Sequence, residues 1–166
     1  MPYGRPWLPP PPGSRRFRRA AFAATRAGVL GEAAGEDATA AYRRALEAEP
    51  RYLPALWGLA RVARAAGDPD AIEDAEERLA GASTRPLDIA AHRVRAGLAR
   101  ASTDPAAAGE HLRLAREAAP DDLVLLALSL RLGDGFSLAE RAQRLEKATA
   151  DAPGEWRRAF GAQTAI

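Results

Sequence analysis

Three times in this chain a large apolar residue is followed three positions later by alanine and five positions after that by proline: Tyr42, Ala45 and Pro50; Leu112, Ala115 and Pro120; Leu145, Ala148 and Pro153. A large residue and an alanine at i and i+3 share one face of a helix, and a proline just past the end cannot continue it. These prolines, with Pro86 between them, recur at a period of about 34 residues. Helix starts recur as well. Asp68-Pro69 and Asp104-Pro105 each place a side-chain acceptor at the N-cap and a proline in the first turn, where its missing N–H costs nothing, and Ser137 with Glu140 makes a capping box. Each period is therefore two helices. The spacing predicts them at 17–33 and 37–48, 54–66 and 69–80, 86–101 and 105–118, and 122–132 and 137–151, with a final partial helix from about Glu155. Composition agrees: 41 Ala, 23 Arg and 19 Leu stand against only 13 Val, Ile and Thr together, too few for a sheet protein.

Charge is distributed unevenly. Residues 1–31 hold six arginines and no acid, whereas the rest of the chain is net −4. A basic arm on a mildly acidic body fits contact with nucleic acid, an anionic surface or an acidic protein; a solvated, disordered terminus is the alternative. Residues 1–16 read as a flexible tail rich in Pro and Arg, because Pro9 to Pro12 are consecutive and favour polyproline II. Ser14 to Arg19 resembles a twin-arginine export signal, but Arg26 interrupts the apolar region such a signal needs. The chain has no cysteine, which excludes disulfides, thiolate zinc sites and cysteine nucleophiles and is compatible with the cytoplasm, the expected location. No run approaches the ~20 apolar residues of a membrane span.

The stretch from Ala55 to Asp68, ALWGLARVARAAGD, resembles the first helix and turn of a tetratricopeptide repeat. Leu56, Leu59, Ala60 and Ala63 match the packing positions of that motif and Gly67-Asp68 its turn, while Ala38, Tyr42, Ala45 and Pro50, and again Ala108, Leu112, Ala115 and Pro120, match the second helix. Departures fall in the second helix of the second unit, where Ala75 or Glu76 stands in place of a large residue, and at Gly133-Asp134, which arrives early. The resemblance implies an all-α, right-handed α-solenoid of three to four antiparallel hairpins over residues 17–153, with 154–166 a partial capping helix. A compact helical bundle is the alternative. Such hairpins bury their apolar stripes only by stacking, and small alanines let the helices approach closely.

Little in the chain points to catalysis. His92 and His111 have no carboxylate at ligand spacing that would close a site with both, so they are expected to face solvent, with no metal bound. The neighbours Glu76-Glu77 and Asp121-Asp122 diverge by about 100° on a helix and cannot flank one bond; they read as caps and solvated charges. Gly133 and Gly135 lack the strand and lysine of a phosphate loop, and Ser14, Ser83, Ser102, Ser129 and Ser137 sit in no nucleophile elbow. The expectation is a non-catalytic adaptor without cofactor.

In proteins that this chain resembles, the first helices line a concave groove. The resemblance then places Trp57, Arg61 and Arg64, Arg93 and Arg100, and Arg131 along it, a row suited to an acidic peptide or a terminal carboxylate, unless these are ordinary solvated arginines. The chaperone-binding members clamp a carboxylate with Lys and Asn; this chain has no Asn, so only an arginine version remains. Nucleic acid is disfavoured because basic residues are interspersed with acids outside the cluster Arg15, Arg16, Arg18 and Arg19. Trp156 and Phe160, at i and i+4, are expected to cap the last hairpin; the alternatives are that this segment begins another repeat of a longer chain or that its aromatic face forms a homodimer contact.

Overall fold

The computed structural model describes residues 15–120 together with Asp122, Leu125, Leu128 and Gln143. Among the described residues there are six α-helices and no strand: α1 (Arg15–Ala33), α2 (Thr39–Ala48), α3 (Leu53–Ala66), α4 (Pro69–Ala82), α5 (Pro86–Arg100) and α6 (Pro105–Ala118). The all-helical expectation holds, and the ends of the first six predicted helices lie within two residues of those observed. The rest of the fourth hairpin, Arg131, and the helix from Glu155 with Trp156 and Phe160 lie outside the described residues, as do residues 1–14 of the tail. Among the described residues no helix is long and apolar enough to cross a membrane.

Local chemistry sets the ends. Asp104 caps α6 by accepting from the N–H groups of Ala106 and Ala107 at 3.1 and 3.0 Å, with Pro105 in the first turn. Asp122 accepts from Leu125 N at 3.0 Å, as expected of a cap. At the end of α2 the chain turns extended at Glu49, and Pro50 follows. Gly67 ends α3 in the left-handed conformation with φ 66°, which an L side chain resists. Replacing Asp104 by alanine orphans two N–H groups and is expected to lower stability by about 1 kcal/mol, read as a shift in the urea midpoint.

The chain divides into two compact units, residues 1–68 and 69–166. The boundary falls inside the second of the hairpins predicted from spacing. In the first unit α2 packs against both α1 and α3, over a core of Ala21, Ala41, Tyr42, Ala45, Leu56 and Ala60. In the second unit α5 packs between α4 and α6, where Ala75, Leu79, Ala96, Ala108 and Leu112 are buried and Ala90, Ala115, Ala119 and Leu125 form one cluster. Gly97 permits the close approach of α5 to α6: a Cβ there would lie 3.1 Å from the carbonyl oxygen of Ala108.

Candidate functional site

In the first unit a single aromatic ring organises three helices. Tyr42 is fully buried, and its ring occupies space that Cβ atoms on Gly28 of α1 and Gly58 of α3 would otherwise fill. Its hydroxyl donates to Glu32 Oε1 at 2.5 Å and accepts from Arg61 Nη2 at 3.0 Å. Arg61 also grips Glu32 with two hydrogen bonds, Nε to Oε2 at 2.6 Å and Nη2 to Oε1 at 2.8 Å. The Arg61 hydrogen bonds, aided by Tyr42, hold the Glu32 carboxyl below its usual range, while burial and then the adjacent Glu32 push the phenol of Tyr42 up. Leu53, Trp57, Arg61 and Arg64 follow one another at helical spacing along the exposed side of α3, with Trp57 57% exposed. These residues share the exposed side of α3, and Arg61 stands there already paired.

The second unit holds a polar layer whose histidines and Glu76 are expected from sequence to face solvent. His92 and His111 are buried, and Glu76 has no exposed surface at all; the expectation of solvent-facing histidines and a solvated Glu76 is corrected. His92 Nδ1 lies 2.7 Å from Glu76 Oε2, a distance at which the nitrogen carries the proton and donates. Arg95 Nη1 approaches the same carboxylate oxygen to 4.0 Å. His111 Nε2 donates to Glu73 Oε1 at 2.9 Å, leaving Nδ1 to face the Arg93 guanidinium at 3.5 Å. Arg93 donates to Glu77 at 2.7 Å, and Arg100 donates to Glu73 at 2.5 Å and pairs with Asp70. The hydrogen bond from His111, and after it Arg100, hold the Glu73 carboxyl below the ordinary range. Burial of these groups is tolerable because each carboxylate has a hydrogen-bonded partner. Among the described residues no group of three or more His, Asp or Glu could hold a metal ion.

The two clusters share the same spacing along the chain. Tyr42 meets Gly58, and Glu76 pairs with His92 across the same sixteen-residue interval. Arg61, nineteen residues beyond Tyr42, bonds its hydroxyl, and Arg95 stands in the same relation to Glu76. A large ring over a glycine in one unit is replaced by an imidazole and a carboxylate in the other. The Asp-Pro helix starts could have revealed this, since aligning Asp68-Pro69 with Asp104-Pro105 sets Glu76 in register with Leu112, which is also fully buried.

Of the other predicted residues, Arg93 and Arg100 carry the ion pairs described, with side chains about a quarter exposed. Arg15, Arg16, Arg18 and Arg19 lie in the first turns of α1, all exposed, the helix beginning two residues before its predicted start. Comparison with protein-family models, with characterised proteins and with solved structures finds no match for the chain.

Proposed function

We propose that this chain is a non-catalytic adaptor, built as a tetratricopeptide-like helical array in the cytoplasm, that binds a peptide or protein segment against the exposed face of α3. The observation that carries the reading is Trp57. A tryptophan more than half exposed beside Leu53, on a helix whose other side is core, is the kind of anchor that dominates protein interfaces. Arg61 supports it: clamped by Glu32 and Tyr42, its guanidinium is fixed in direction while 52% of the side chain stays exposed, so binding loses little rotamer entropy there. Because Glu32 neutralises Arg61, the recognised segment is chiefly apolar.

A displayed random-peptide library selected on the intact protein tests the reading. Selected peptides are expected to lose about thirtyfold in affinity on Trp57→Ala, a change that leaves the Tyr42 cluster untouched. Peptides that bind the wild type and the alanine variant equally would overturn it.

A further inference from the structure

The solvent side of α1 carries a stripe that folding does not account for. Arg15, Arg18, Arg19, Phe22, Arg26, Val29 and Leu30 recur at helical spacing, and the opposite residues Ala21, Thr25 and Gly28 are buried. Phe22 is 58% and Leu30 63% exposed, and Val29 is exposed too. The arginines of this stripe and Arg16 beside it are all exposed, and none makes an ion pair with a described residue. Several arginines on other helices are placed differently: Arg61, Arg93, Arg100 and Arg113 each hold a carboxylate. Cations in the first turns of a helix also oppose its dipole, and the first turn of α1 has no acid to compensate. Bulky apolar tips in water and unpaired arginines at the positive end of a helix both act against stability, so their concentration on one face marks a surface kept for a ligand.

We infer that this face of α1 docks on an anionic lipid bilayer surface. A bilayer meets both halves of the stripe at once: lipid phosphates and carboxylates accept from the arginines, while Phe22, Val29 and Leu30 enter the boundary between headgroup and acyl chain. The stripe is a convex ridge about 20 Å long, which a deformable planar surface fits without a matching groove. A second copy of the chain is a poor occupant, because two such faces would set arginine against arginine. Nucleic acid would engage the arginines but has no use for Val29 and Leu30; only Phe22 can stack on a base.

Sedimentation of the full chain with vesicles of phosphatidylcholine containing about a third phosphatidylserine, against phosphatidylcholine alone, tests the inference. Binding is expected only to the anionic vesicles. It should weaken about fivefold for each arginine removed in Arg18→Gln with Arg26→Gln, and at least tenfold in Phe22→Ser with Leu30→Ser, with circular dichroism unchanged in both variants. These substitutions lie on exposed positions, and the arginine pair provides a second readout should the serine variant lose helicity. Failure to bind anionic vesicles, or binding indifferent to Phe22 and Leu30, overturns the inference. So does tighter binding of a single-stranded oligonucleotide or a polyglutamate peptide with the same dependence on those two residues, which would assign the face to nucleic acid or to an acidic protein.

Discussion

Replacing Gly58 by alanine is expected to lower the stability of the first unit by about 3 kcal/mol, although alanine is the better helix former. The added methyl would lie 2.4 Å from two ring atoms of Tyr42, well inside contact distance. The ring has no room to yield, because a Cβ on Gly28 would meet its atoms at 2.7 Å and the phenol is tied to Glu32 and Arg61. Relief therefore requires separating α2 from α3 or breaking the hydroxyl's hydrogen bonds; overpacking costs about 1–3 kcal/mol and the lost bonds about 1–2 more, against roughly 1 gained in helix propensity. Urea unfolding measures the total, and hydrogen exchange of the α1–α3 amides locates it. Gly81→Ala is the control: it is helical with nothing within 4 Å of an added Cβ, and should be neutral or slightly stabilising. Equal stability of Gly58→Ala and wild type would show that the Tyr42 ring is not held between the two glycines.

The second large effect is at the pair of Glu76 and His92. Glu76→Ala removes a carboxylate from a position with no solvent access and leaves the His92 N–H without its acceptor; His92→Ala takes from the buried carboxylate its donor at 2.7 Å. Removing one partner of a buried, hydrogen-bonded carboxylate costs about 3–5 kcal/mol, more than the intact contact contributes, because the remaining group stays desolvated. The double variant is then expected to be less destabilised than the sum of the singles by at least ~1.5 kcal/mol, measured in a double-mutant cycle. Additive losses would mean that the two residues pack independently and that their contact carries no coupling.

Exposed arginines need a different kind of reading from buried ones. On α5 and α3 the guanidinium groups serve as struts between helices: Arg100 reaches back to Asp70 and Glu73 on α4, and Arg61 to Glu32 on α1. This explains why a row of arginines at correct helical offsets is a weak predictor of a groove. Spacing along one helix fixes which side chains share a face, but not whether a carboxylate from another helix already waits there.

Helix placement was legible because its determinants are local. Asp104 caps the turn that follows it, Pro69, Pro86 and Pro105 open helices within their own first turns, and Gly67 takes up a backbone angle within a single residue. The same locality exposes Leu53, Trp57, Arg61 and Arg64 on one side of α3, since Leu56, Ala60 and Ala63 claim the other. What only the tertiary structure decided is the state of the polar groups. Glu76 is fully buried because His92, sixteen residues away on the next helix, supplies a proton donor, and Glu73 is held by His111 across thirty-eight residues. Residue type alone assigns Glu and His to water, and correctly so on average, because desolvation is costly. The cost is offset only where a second helix delivers the matching donor within hydrogen-bond distance, and that distance is a property of the packing of α4, α5 and α6 and not of any one segment of chain.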